Sequence, residues 1–282
     1  MRRTTLILLI IFLTLLSFTG CRFGIKVAYN RADWLIMRQL SDFACLTKGQ
    51  KSRIESEISG FMAWHRKEEL PIYAGYLREL ANAFEKGPLT KEDFERAHSI
   101  FEDVQKRTGE KVKDVGIDFV LSLSPEQIKC SFENFEEKNE EKLKELALSE
   151  TEFRKKRKDE LVKQTKNILG SVTQQQIDLA GTIMPPLSEE KEIYAATSRK
   201  REHTKKVLLM PNSAQKRAEI IKLIEEPHAL YTEREKQLVE KRRKETKEAM
   251  WKLNNTLTPK QRQNIVKQLN NYAKAFEDLS KE

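Results

Sequence analysis

Glycine is scarce in this chain of 282 residues: there are 10, and past Gly116 only Gly170 and Gly181 remain. No glycine-rich phosphate loop, Gly-x-Ser-x-Gly turn or Cys-x-x-Cys pair can be found, which removes the usual signatures of nucleotide binding, serine hydrolysis and dithiol chemistry. Long apolar runs are missing as well. The longest apolar stretch, Leu6 to Phe18, counts 13 residues, whereas a membrane-spanning helix needs roughly 20. Strand-like alternation of any length is absent. What the chain does have is charge, 34% of its residues with a net +9. High charge with little glycine favours long helices over a sheet protein.

The apolar stretch has a direction. Arg2 and Arg3 form a positive head, Leu6 to Leu16 is interrupted only by Thr14, and Phe18-Thr19-Gly20 leads into Cys21. That is the layout of a secretory signal peptide. A cysteine straight after small residues resembles the bacterial lipobox, although Phe18 stands where leucine is usual. The resemblance implies removal of residues 1–20, acylation of Cys21 and anchoring in membrane lipid. Several acyl chains on one residue make a stable tether. Arg22, rather than Asp, follows the cysteine, which by the same resemblance directs the chain to the outer membrane, facing the periplasm. The alternative is an ordinary cleaved signal with Cys21 incidental. Cleavage leaves 262 residues with charge +7, because Arg2 and Arg3 depart. Residues 21–30 then read as a short tether and 31–282 as one helical domain, open to subdivision near 170–190. Cys45 and Cys130 would share an oxidising compartment. A bridge would stabilise by about 4 to 5 kcal/mol in the chain-entropy model. Both also have apolar neighbours, where a buried free thiol is ordinary.

Helix starts recur. Leu46-Thr47-x-x-Gln50, Leu123-Ser124-x-x-Gln127 and Leu257-Thr258-x-x-Gln261 are capping boxes, with a looser copy at Thr173 and Gln176 and acidic versions at Thr90, Ser188 and Thr232. Pro125 and Pro259 fall at first helical positions. Asn30 is placed to cap a first helix, 31–43. Ile54, Ile58, Phe61, His65, Ile72, Tyr76, Leu80 and Phe84 form one helical stripe, kinked at Pro71 and ended by Gly87-Pro88. Further helices are expected over 91–121, 189–209, 213–225, 232–254 and 259–279. Nothing obvious breaks 125–169, where 20 of the 34 residues from Glu133 to Lys166 are charged, so one long, partly exposed helix is expected. The fold class is all-α, an elongated multi-helix bundle.

Tyr29-Asn30-Arg31-Ala32-Asp33-Trp34-Leu35 and Ala63-Trp64-His65-Arg66-Lys67-Glu68-Glu69-Leu70-Pro71-Ile72-Tyr73 resemble an uncharacterised Gram-negative lipoprotein family, domain of unknown function 6279, most clearly over residues 21–85. The resemblance implies an all-α envelope lipoprotein and brings no activity. The repeated Leu-Thr/Ser-x-x-Gln boxes also resemble those of Spy-type periplasmic chaperones, which bind unfolded proteins, but such a box is also a generic helix start.

His65 and Glu69 stand four apart on one helix face, where they could share a metal or a proton. A hydrogen-bonded core histidine is the plainer reading. With Trp64 and Arg66 they form the candidate cluster; no cofactor is expected. Arg199, Lys200, Arg201, Lys205 and Lys206, with Arg242 and Arg243, could present a positive face to envelope anions, nucleic acid being excluded by the compartment. Interspersed Glu202, Glu240 and Glu245 equally suit a solvated helix surface. Together these features lead us to expect a non-catalytic envelope lipoprotein with a protein partner. A chaperone-like module is the alternative, and a metal-dependent enzyme a more distant one.

Overall fold

The computed structural model describes residues 22–282; the expected signal and Cys21 lie outside the described residues. Among these residues there are helices and no strand. The first six are α1 (Arg22–Tyr29), α2 (Ala32–Ala44), α3 (Lys48–Trp64), α4 (Leu70–Lys86), α5 (Lys91–Leu121) and α6 (Pro125–Leu146), with a π-helical turn, His65–Glu69, between α3 and α4. Then come α7 (Glu150–Leu169), α8 (Gln174–Thr182), α9 (Leu187–Leu208), α10 (Ala214–Glu225), α11 (Glu233–Asn255) and α12 (Pro259–Leu279).

The capping boxes set most of these boundaries. At Thr258 the hydroxyl accepts from the Gln261 backbone N–H at 3.2 Å, and the Gln261 side chain accepts from the Thr258 N–H at 3.0 Å. The same reciprocal pair opens α3, α5, α6, α7, α8 and α11. The start of α7 corrects the long helix expected over 125–169. Ser149 and Glu152 form a full box there, and the chain breaks between Leu146 and Glu150. α9 lacks a side-chain cap of its own, so Ser188 is no N-cap; instead Glu150 of α7 accepts from the Leu187 N–H at 2.9 Å.

Two further expectations change at the beginning of the chain. Residues 22–29 are a helix rather than a tether, because Ile25 and Tyr29, four apart, bury against α12. Asn30 caps nothing: α2 starts without a side-chain cap, and the Asn30 amide oxygen instead accepts from Arg66 at 2.9 Å.

The main core lies along α4 and α12, which pack over their length. Ala74, Ala273 and Ala275 at the contact are small enough to bring the two helices close, and Leu70, Tyr272, Phe276 and Leu279 fill the flanks. A second cluster joins Phe84, Leu89 and Phe94 to Leu169 and Leu257. The α2–α3 hairpin has its own cluster around Ala44, Leu46, Ile54 and Ile58. α5, α9 and α10 meet through Ile117, Val207 and Ile220.

Four of the capping glutamines do a second task. Gln50 and Gln127 exchange amide hydrogen bonds, Gln50 Nε2 to Gln127 Oε1 at 3.0 Å and Gln127 Nε2 to Gln50 Oε1 at 2.6 Å. Each also donates to a backbone carbonyl two residues ahead of the other's N-cap, Ser122 O at 3.2 Å and Cys45 O at 3.1 Å. The pattern repeats with Gln176 and Gln261, which exchange bonds of 3.0 and 2.9 Å and donate to Thr256 O at 3.2 Å and Ser171 O at 2.9 Å. Each glutamine clasp therefore ties two helix N-termini, and the loops that lead into them, in one hydrogen-bonded unit. Gln261 is completely buried. Gln261→Ala should cost about 2 kcal/mol in urea unfolding, because the buried Gln176 amide loses its partner. Gln50→Ala, at the more exposed clasp, should cost less.

Candidate functional site

The π-helical turn gives the expected cluster its geometry. Pro71 has no N–H for an α-helical bond and crowds the preceding turn. The chain responds just before it, where the Leu70 N–H reaches back to His65 O and the backbone takes on one extra residue per turn. So the expected kink at Pro71 takes the form of a bulge. Through it the stripe continues, and Leu70 is left completely buried.

His65 sits among aromatic rings. Tyr29 stacks at 5.8 Å, and Phe61 and Tyr73 lie at 5.7 and 5.4 Å. The Tyr29 hydroxyl and His65 Nδ1 share a hydrogen bond of 2.9 Å. Burial lowers the His65 pKa to about 4 against a small opposing pull from Glu69, so the ring is neutral near pH 7. Burial likewise pushes the Tyr29 hydroxyl up to about 12.

Glu69 does not join His65 on a ligand. Its carboxylate, 3% exposed, takes a two-pronged contact from Arg107 of α5, Nε at 3.0 Å and Nη2 at 2.9 Å. Burial alone would raise its pKa, but the bonds from Arg107 and Tyr73 hold it below the usual carboxylate value. Arg66 turns the other way, over the Tyr29 ring at 5.3 Å, with bonds to Asn30 and to Glu282 at 3.3 Å. Trp64 packs on Phe61 under the Lys111 ammonium, 5.3 Å from the ring. Tyr29, Tyr73, Arg107 and Thr108 complete the cluster. The sequence reading missed all four as partners of His65 and Glu69. Tyr29 belongs to the Tyr29–Leu35 motif, which was a usable signal; Arg107 and Thr108, on a distant helix, had none. Among the described residues no three His, Cys, Asp or Glu side chains are placed to hold a metal ion.

His65, Tyr73 and Thr108 form part of the wall of a large cleft of about 2040 Å³ that runs along α5. Its lining is mainly apolar, with Ile36 of α2, Ile58 of α3, Leu80 of α4, Phe101 and Val112 of α5, and Phe135 of α6. Small-molecule sites occupy about 300–1,000 Å³, so this cleft exceeds their usual size.

The cations expected to form one positive face are instead divided among inter-helix contacts. Arg199 holds Glu235 at 2.7 and 2.6 Å, Lys200 donates to the carbonyls of Leu223 and Pro227, and Arg201 lies over the Phe135 ring at 4.8 Å. Lys205 covers Phe132, Arg242 binds Glu190 at 2.7 Å, and Arg243 binds Glu102. Among the described residues, Lys206 is the member of the group for which no such contact is seen. Their acidic partners come from other helices, which is why spacing along one helix could not reveal the pairing. Cys45 and Cys130 are joined in a disulfide, with Cα atoms 6.4 Å apart.

An all-α architecture of capped helices around an apolar cleft is thus established for the described residues. The chain belongs to a family of unknown function, DUF6279, whose model matches residues 42–236. That match takes in the Ala63–Tyr73 motif and begins after Tyr29–Leu35. Comparison with curated proteins and with solved structures returns no match.

The His65 environment predicts a pH dependence. Its folded pKa is below the ordinary 6.5, so the unfolded chain binds the proton more readily and stability falls as pH drops from about 6.5 to about 4. Urea unfolding across that window should show a loss of roughly 2 to 3 kcal/mol that His65→Phe, which cannot take up the proton, largely removes.

Proposed function

We propose that this chain is a lipid-anchored envelope protein that works by binding another protein rather than by catalysis. The observation that carries the binding reading is the cleft along α5. It is large, mainly apolar and walled by several helices, and the polar groups at its His65 end are engaged with one another: His65 with Tyr29, and Tyr73 with Thr108 at 3.4 Å. A neutral, aromatic-packed histidine with no converging carboxylate suits packing better than acid–base work.

Support for the anchor and the outer-membrane, periplasm-facing location lies in the sequence from Met1 to Arg22, and the Cys45–Cys130 disulfide fits an oxidising compartment. No helix among the described residues is long and apolar enough to cross a membrane. A second reading, a chaperone-like module, draws on the breadth of the same cleft, which would accept varied apolar segments.

Crosslinking in cells followed by pull-down from envelope fractions tests both. Phe101, on the cleft wall and 40% exposed, can be changed to Glu with little threat to folding. One stoichiometric partner, captured by the native chain and reduced about tenfold or more with Phe101→Glu, is the expected result. Many unrelated envelope proteins, all lost with the same substitution, would favour the chaperone reading. Capture unaffected by Phe101→Glu would remove the cleft from the function.

A further inference from the structure

α1 buries one apolar pair and exposes another. Ile25 and Tyr29 face the α4–α12 core, whereas Phe23 and Val27, also four apart, point roughly the opposite way and are 74% and 39% exposed. Beyond the short turn at Asn30 and Arg31, Trp34 and Leu35 at the start of α2 are 56% and 43% exposed. Four large apolar side chains within thirteen residues thus remain in solvent. The other exposed large apolar residues, from Ile72 to Met250, are spaced singly along the chain. Single exposed apolar residues are normal on a protein surface; a cluster of this kind marks a contact.

Basic residues outnumber acidic ones along the strip, although Arg22, Lys26 and Arg38 each pair with a carboxylate. Between Arg22 and Leu40 there are four basic residues and one acidic residue. Arg31 is exposed, and the Arg38 guanidinium lies 5.5 Å from the Trp34 ring. Aromatic and apolar side chains beside Arg and Lys, with tryptophan among them, are the composition of a helix lying in a membrane interface. Cys21 is one peptide bond from Arg22, so an acylated Cys21 would put α1 at the bilayer with no spacer.

We infer that Phe23, Val27, Trp34 and Leu35 rest in the headgroup boundary of a bilayer bearing anionic lipid, as a second membrane contact beside the acyl chains. The inference rests on the lipid-anchor reading for its geometry and adds an orientation to it. α1 is fixed to the body: its inner face belongs to the main core, Arg22 pairs with Asp278, and Lys26 pairs with Glu282 at 2.5 Å. Contact through its outer face therefore sets the attitude of the whole bundle. Tyr29, Ala32, Ile36 and Leu40 of these two helices line the cleft, so α1 and α2 form a wall between the bilayer and the binding cavity.

The test uses the full-length protein expressed with its own N-terminus, purified from membranes and reconstituted in phosphatidylethanolamine–phosphatidylglycerol vesicles. Trp64→Phe and Trp251→Phe leave Trp34 as the sole indole. Mass analysis of the N-terminal peptide reports acylation of Cys21 and so judges the anchor reading separately. Brominated lipids should quench Trp34 strongly, and Phe23→Ser with Val27→Ser should cut that quenching several-fold while acylation is unchanged. A chain beginning at Arg22, with neither signal nor acyl group, should still sediment weakly with the anionic vesicles, roughly tenfold less once Phe23 and Trp34 are both changed to Ser. This measurement holds whether or not Cys21 is acylated. Trp34 unquenched in an acylated, reconstituted chain would overturn the inference. So would protection of Trp34 in the absence of vesicles through self-association, which would assign the strip to a second copy.

Discussion

Two pairs of glutamines hold together what the helices alone would leave separate. Helix N-termini are costly places to crowd, since each leaves backbone N–H groups without partners and carries a partial positive charge. Bringing two of them together requires every nearby donor to find an acceptor. A glutamine in the last place of a capping box meets this need because its amide has both functions. The oxygen serves its own N-cap and the partner amide, and the nitrogen reaches the partner and one carbonyl of the opposing loop. Glutamate in the same place could not donate. The boxes ending in Asp93, Glu152 and Glu235 accordingly cap their helices without making a clasp, and Glu235 bonds instead to Arg199.

The second constraint is electrostatic. A chain with 34% charged residues has to place some of them between helices, and the structure does so by pairing across elements. Glu190 of α9, 9% exposed, receives Lys142 of α6 and Arg242 of α11; Glu69 receives Arg107. Burial works against ionising Glu190, and the two cations outweigh it, keeping its pKa below the usual value. Pairs of this kind add little net stability, but removing one member leaves a buried charge uncompensated, so they specify which helices may lie side by side.

Elements whose boundaries are set by local chemistry could be read from the sequence. The 91–121 helix follows Thr90 and Asp93, and the 259–279 helix follows Thr258, Pro259 and Gln261; both appear with those limits. The continuous helix expected over 125–169 is divided in the structure: no glycine or proline interrupts that stretch, but Ser149 and Glu152 carry the same signal as the other boxes. Features that depend on partners far along the chain were not legible. His65 and Glu69 were correctly set on one helix, yet their partners Tyr29 and Arg107 are 36 and 38 residues away, and the π-helical turn redirects both side chains. The basic clusters failed for the same reason: a run such as Arg199 to Lys206 shows its charge but not the Glu235 or Phe135 that receives it. The cleft, lined from six or more helices, has no linear signature at all.

The pairing of α1 and α4 with α12 has a consequence for how such a chain comes into being. The principal core joins Ile25 and Tyr29 to Ala273, Phe276 and Leu279, residues some 250 positions apart. Contacts of such range form late, because nearly the whole chain must be available before they close. A chain delivered from its N-terminus onward could set Tyr29 against His65 early, but the inner face of α1 would lack its α12 partner, Ile25 included, until that helix arrived. Arrival of the last helix would hide one apolar face of α1 and leave the other, so completion of folding would be visible from outside as the loss of half of that helix's apolar surface. An incomplete copy would keep both faces open, a difference that proteolytic surveillance can read directly.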